Sequence, residues 1–326
     1  MGIFRKESWN FGLLAILALL FLLTKFVQPN YGMRGIEGLA QAALPFAFAA
    51  AAQAIVVIAG GIDLSIGSMM AVTSVAAAVL MEGSTEVAAI WITLFVLVLG
   101  AAMGALNGLL IVVTRVPDIV VTLAMLFVWE GVALMILKAP GGGASEWLMG
   151  LPIGSVDLPG IPEGATAFLP KSLLLLVVCV AIVWVPLRQS RIGLQIYATG
   201  SSEEAAYRTG VPVRRSKVAA YAVAGLFAAM GGLVLTASTG IGAPIPGPYL
   251  LASVAAVVLG GVVLGGGRGG LVGPIIAVFI LRLVRTILTF LSVDPNVTTI
   301  IEGTIMVAVV MVGGVLALRA RRRKAA

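Results

Sequence analysis

The chain has 326 residues, 60% of them hydrophobic and only 11% charged, with a formal net charge of +7. Soluble domains carry about 25% charged residues, so this chain cannot coat a water-facing surface and its surplus apolar area must face lipid. The lack of histidine and the single cysteine, Cys179, exclude a Ser-His-Asp or Cys-His relay, a His-containing zinc site and an intrachain disulfide.

A helix needs about 20 mostly apolar residues to cross the hydrocarbon core. Ten such runs are predicted, over 9–27, 39–60, 65–81, 88–113, 119–137, 171–187, 218–238, 250–264, 270–291 and 298–318. The first is too long for a signal-peptide core and no A-x-A-like site follows it before Gln28-Pro29, so it is kept as a span. The third and eighth are short, which suits a tilted, broken or re-entrant helix. Five runs precede the outer loop 138–170, which is rich in Gly and Pro and holds Glu146, Asp157 and Glu163; five follow it. An odd number per half means that related halves would be inverted five-helix repeats. The expected fold is an all-α polytopic membrane protein of about ten transmembrane helices.

Orientation follows from the basic residues. With the N terminus in the cytoplasm, 15 Lys and Arg fall inside, four (Lys25, Arg34, Lys138 and Lys171) fall outside, and Arg282 and Arg285 lie within the ninth span. That is the positive-inside pattern, with both termini cytoplasmic. The basic balance therefore reports orientation in a membrane and not a nucleic-acid partner. The tail 319–326, from Arg319 to Lys324, is expected to anchor the last span at anionic headgroups.

The most distinctive string is Gly60-Gly61-Ile62-Asp63-Leu64-Ser65-Ile66-Gly67-Ser68. Paired glycines permit φ > 0 and end the second span, while Asp63 or Ser65 is placed to cap the N–H groups that open the third. A capped turn is the plain reading; a carboxylate that lines or gates a path is the functional one. The inner loop 188–217 is the most polar stretch and contains Gly200-Ser201-Ser202-Glu203-Glu204-Ala205-Ala206-Tyr207-Arg208-Thr209-Gly210. A Ser before paired acids predicts a capped helix over 201–210, ended by Gly210; lying at the headgroups is its plain reading. Gly265, Gly267 and Gly270 match G-x-G-x-x-G, but no strand–turn–helix unit surrounds them and no acid follows at the required spacing. A tight inner turn anchored by Arg268 is the better account. Gly100, Gly104 and Gly108 share one helix face and predict close packing within the subunit. Charges in the bilayer want a partner or water. Glu130 sits in the fifth span, Arg282 and Arg285 share a face of the ninth, and Glu302 opens the tenth, which predicts an ion pair of Glu302 with Arg285 or Arg282, or else a proton relay.

The join at 60–68, together with Asn107-Gly108-Leu109-Leu110, Pro117, Thr122-Leu123, Arg191-Ile192-Gly193, Tyr197-Ala198, the 200–210 string, Ala255 to Gly261 and Gly266 to Gly269, resembles the ribose-type permease family. These are membrane subunits of bacterial ABC importers for monosaccharides and, in one branch, an autoinducer. The motifs run in the family's order from about Ala40 to Gly314. The resemblance implies a single permease domain over 1–326 in the bacterial inner membrane, with no catalysis of its own. It implies three kinds of partner: an ABC ATPase subunit, a periplasmic sugar-binding protein, and a second permease copy or paralogue. The 200–210 string would be the coupling helix, with Glu203, Glu204 and Arg208 offering charged contacts and Ala205, Ala206 and Gly210 permitting close approach. None of the six lysines follows a glycine, so no phosphate loop is present and ATP-Mg would be bound by the partner; no cofactor is expected here. The chain departs from the family at Glu130 and Glu302, where a basic residue is usual, at Leu250 and Ala252, where acids are frequent, and at Pro274, where threonine is usual. A self-contained ion-coupled transporter with Glu130 as coupling acid is the competing reading from the residues, and an ABC permease for a nucleoside or branched-chain amino acid is the competing reading from related folds.

Overall fold

The structure is a computed structural model that describes residues 2–156, 169–245, 247–305, 307–308 and 311, with side chains from Trp9 onward. Among these residues every regular element is a helix. They are α1 (Gly2–Val27), α2 (Met33–Ile58), α3 (Ile66–Met81), α4 (Glu86–Thr114), α5 (Asp118–Ile136), α6 (Glu146–Gly150), α7 (Lys171–Gln189), α8 (Arg191–Ser201), α9 (Glu203–Arg208), α10 (Val213–Thr239), α11 (Tyr249–Leu259) and α12 (Val272–Phe290). A last helix, α13, is described over 295–305. Seven helices (α1 from Trp9, α2, α4, α5, α7, α10 and α12) are long and apolar enough to cross a membrane. The two expected short runs are short helices: α3 has 16 residues and α11 has 11. The eighth run was expected to reach 264, but α11 stops at Leu259 because Gly261 takes φ 77° and the chain turns there. Positions 306, 309, 310 and 312–318 of the tenth run, the tail 319–326, and Asp157 and Glu163 lie outside the described residues, as do the side chains of Arg5 and Lys6.

The centre of the bundle is α2, whose residues from Ala47 to Ile58 are all buried. Its run of alanines explains this position, since small side chains on every face let α3, α10, α11 and α12 all approach. The strongest helix pair is α4 with α10. A Cβ on Gly104 would meet the Tyr221 carbonyl, and one on Gly225 would lie 2.9 Å from the Gly104 backbone. The glycine face of α4 is thus a packing seam inside the subunit. Glycines 231 and 232 carry the same device to the opposite side of α10, against Met70 and Thr73 of α3.

At the end of the bundle opposite the joins, the loop after α5 is stitched across α3 and α10. Gly141 and Gly242 form an antiparallel bridge, Gly143 N–H donates to the Ala78 carbonyl at 3.0 Å and Ala144 N–H to Gly240 at 2.9 Å.

Candidate coupling site

Three helix ends at one end of the bundle close in the same way. At Gly60 (φ 94°), the Gly61 N–H returns to the Val56 carbonyl and the Gly60 N–H to Val57. At Gly210 (φ 83°), Val211 returns to Ala206 and Gly210 to Tyr207; at Gly261, Val262 returns to Val257 and Gly261 to Val258. This is the double bond pattern that a left-handed glycine allows and a Cβ resists.

The Gly60 end then meets α8 and the 265–270 turn, backbone against backbone. Gly200, near the end of α8, has no room for a side chain: a Cβ there would meet the Ile58 carbonyl oxygen and would lie 2.7 Å from the Gly267 nitrogen. A Cβ on Gly266 would likewise meet the Gly200 carbonyl and would lie 2.9 Å from the Gly60 Cα. The contact is sealed by Gly267 N–H donating to the Ile58 carbonyl at 2.8 Å and by the Tyr197 hydroxyl donating to the Gly269 carbonyl at 2.9 Å. Burial raises the Tyr197 phenol above its usual range, against a smaller lowering by Arg188, so it stays a neutral donor. The segment 265–270 is therefore a structural turn that clamps α8 to the end of α2.

The join itself is held by a buried polar network. Asp63 Oδ1 accepts from the Ser65 N–H at 2.8 Å and the Ser65 hydroxyl at 2.6 Å. Asn107 of α4 donates to the Ser65 oxygen at 2.7 Å, and Trp129 of α5 donates to Asn107 at 3.2 Å. Of the two expected caps, Asp63 is the one that acts, on the Ser65 N–H; Ser65 is the N-cap of α3 by position, but its side chain caps no N–H because it is turned to Asp63 and Asn107. Gly67 is buried in the first turn of α3. Asp63 is fully buried, and desolvation pushes its carboxyl up to about 6, opposed by the bonds from Ser65 and Asn107 and assisted by the nearby Asp118. Its Oδ2 has no partner among the described residues. Beside it, Tyr221 donates to Asp118 Oδ2 at 3.0 Å, and Thr122 donates to the Ile62 carbonyl at 3.2 Å. Gly61 is required here, since a Cβ would lie 2.6 Å from the Tyr221 hydroxyl.

From this clamp α8 leads directly into α9. The helix expected over 201–210 is shorter, because Ser202, extended at φ −166°, breaks it from α8 and caps α9 through Ala205 N–H at 3.3 Å. Ser201 closes α8 by donating to Ala198 at 2.8 Å. Every residue from 201 to 210 is exposed except Ala206, which pins α9 to the bundle. Tyr207 is 75% exposed, unusual for an aromatic on so polar a helix. Glu203 and Glu204 are not free charges: Glu203 pairs with Lys217 at 2.8 Å and Glu204 with Arg208 at 2.6 Å.

The intramembrane charges lie elsewhere. Arg285 Nη1 is 3.1 Å from Glu302 Oε2, an ion pair joining α12 to α13. Arg282 stacks over the Phe46 ring at 4.4 Å. Glu130 is half-buried on α5, and among the described residues no side chain pairs with it. Sequence reasoning did not single out Asp118, Trp129 or Tyr221. A polar atom on an otherwise apolar helix face was the signal available, but which faces converge on 60–65 is a tertiary fact.

An all-helical bundle with seven helices long and apolar enough to cross a membrane, and a short exposed helix clamped to the helix joins, is the architecture of a polytopic membrane protein. The model of the family described as branched-chain amino acid transport system / permease component matches residues 35–310, and the chain belongs to that family. It is 30% identical, over 258 residues, to the autoinducer 2 import system permease protein LsrD of Escherichia coli (strain K12), Escherichia coli O157:H7 and Shigella flexneri. The match covers 78% of this chain and 76% of each relative, and places the chain with the sugar-type ABC permeases. No solved structure matches.

Proposed function

We propose that this permease is the membrane-spanning subunit of a bacterial inner-membrane ABC importer, carries a monosaccharide-like solute, and takes its driving force from a separate ATPase seated on α9. The observation that carries this reading is the clamp. An exposed helix bearing Tyr207 is followed through Gly200 to Gly60 and Gly266, the ends of the joins around α2, α3 and α11. Backbone-to-backbone contact has little slack, so a displacement of α9 is passed to the spans instead of being absorbed by side-chain rotation. A secondary transporter has no use for such a lever. On this reading both termini are cytoplasmic, a periplasmic binding protein delivers solute at the opposite face, and a second permease copy or paralogue completes the path.

The monosaccharide-like cargo is supported by the relatives that import autoinducer 2; the family description supports a branched-chain amino acid as a second reading. Proteoliposomes containing the full complex should take up sugar or autoinducer 2 only with ATP on the α9 side, and leucine not at all. Uptake of leucine alone would move the cargo to the second reading, and uptake driven by a proton gradient without ATP would overturn the importer reading.

A further inference from the structure

We propose that a cavity of about 40 Å3 around Arg282, where α2, α11, α12 and α13 meet, binds the carboxylate of a small acidic solute. Its walls include Phe46, Pro248, Ala252, Arg282, Arg285 and Glu302. The charge count is uneven. Glu302 is bonded to Arg285 at 3.1 Å, and among the described residues no carboxylate lies within ion-pair distance of Arg282. Its guanidinium is held by the Phe46 ring at 4.4 Å, and Phe46 is in turn packed on Tyr249 at 4.6 Å between ring centres. A cation–π contact orients a guanidinium over one ring face and leaves its in-plane N–H donors free for a planar anion.

The depth of the site points to a solute. Arg282 is the eleventh of the 19 residues of α12, about 15 Å from its start at 1.5 Å per residue. Phe46 is the fourteenth of the 26 residues of α2, the middle again. The site is thus near the bilayer midplane, about 15 Å from either edge of a hydrocarbon core roughly 30 Å thick, and out of reach of lipid phosphates. The short helix α11 contributes a second positive feature. Its last residue, Leu259, accepts from Trp9 at the start of the apolar part of α1. Eleven residues, about 16 Å, then place its first turn near the midplane. Pro248 at that end has no N–H and no side chain caps the helix, so the positive end of a half-helix opens at a wall of the same cavity. Broken helices whose N-termini meet anionic groups at the midplane are a general device of membrane transport. The volume suits a carboxylate group; the remainder of the solute would extend from the open side of the cavity.

This assignment rests on the transport reading but not on ATP coupling. The full chain in lipid nanodiscs, without ATPase or binding protein, is melted with tryptophan fluorescence as readout. The probes are matched pairs at equal ionic strength: D-galacturonate against D-galactose, D-glucuronate against D-glucose and D-ribonate against D-ribose, with sodium chloride as the inorganic control. At least one acid should raise the melting temperature by about 2–4 °C where its neutral twin does not. Arg282→Gln should lose that shift and Arg282→Lys keep part of it. If Arg282→Gln fails to fold, Ala252→Glu serves, since a carboxylate built into the cavity wall should abolish the shift while raising the melting temperature without ligand. Equal shifts for acids and neutral twins, an equal shift with chloride, no shift with any acid, or a shift that survives in both Arg282→Gln and Ala252→Glu would each overturn the site. A failure here with ATPase docking intact removes only the acidic solute; the reverse result removes only the coupling.

Discussion

Gly200→Ala is the smallest change that tests the clamp. The added methyl would meet the Ile58 carbonyl oxygen on one side and lie 2.7 Å from the Gly267 nitrogen on the other. Both neighbours are backbone, so neither can move aside by a rotamer change. Relief requires α8 to back away, which costs about 1–3 kcal/mol for overpacking. It also stretches the 2.8 Å bond from Gly267 to Ile58, whose loss strands a buried pair at about 1–3 kcal/mol more. The sum, about 2–6 kcal/mol, lowers the melting temperature by roughly 3–9 °C in a chain of this size. Gly38→Ala is the matched control, because Gly38 lies in α2 with nothing within 4 Å of its would-be Cβ and should gain up to about 1 kcal/mol of helix propensity. Melting of both variants in nanodiscs checks this. Gly200→Ala melting with the wild type would refute the close approach, and with it the rigidity assigned to the path from α9 to the joins.

Asp63 makes stability depend on pH. Its carboxyl is raised from 3.8 to about 6 by burial, so the native state holds a proton that the unfolded chain has released, and stability falls as pH rises from about 4 through 6. The full difference is about 3 kcal/mol at 1.36 kcal/mol per pH unit. Asp63→Asn should flatten melting temperature against pH across that window, and an unchanged slope would show that the group is not desolvated. Glu302→Gln leaves Arg285 without its 3.1 Å partner and should cost about 1–3 kcal/mol; Glu302→Gln with Arg285→Gln should recover part of this in the same denaturation assay, and strictly additive losses would contradict the pair.

Helix positions were legible in the sequence because lipid demands long apolar runs: α4 falls within two residues of where hydropathy places it, while α2 and α10 begin about six and five residues earlier, where polar residues at their first turns hide the helix from hydropathy. The glycine face of α4 was legible as well, since spacing by four needs no tertiary knowledge. The helix α8 was not: Gly193, Gly200 and polar neighbours read as loop, and its order comes from the Ser190 cap and from burial of Ile196 and Thr199. Nor could Ser65 be read correctly. Its local role was to cap α3, but Asn107, 42 residues away, competes for its hydroxyl. The same holds for Glu203, whose expected role at a partner surface is shared with Lys217 of α10. Local rules fixed the elements, and long-range partners decided what the polar side chains do within them.

Co-purification of the partner ATPase with Glu203→Lys/Glu204→Lys tests the importer account most directly. The double change sets lysine against Lys217 and Arg208 and reverses the charge that α9 presents, while its only buried residue, Ala206, is untouched. The exposed Glu204–Arg208 pair contributes about 0–1 kcal/mol, and the loss of the partner of half-buried Lys217 costs about 1–3 kcal/mol. Together these amount to a few degrees of melting temperature in a chain of this size, so the fold should survive, whereas a penalty of about 3 kcal/mol at the interface would weaken docking more than a hundredfold. The account predicts a variant that inserts and melts near the wild type but brings no ATPase with it. Wild-type retention of the ATPase by that variant would contradict the account.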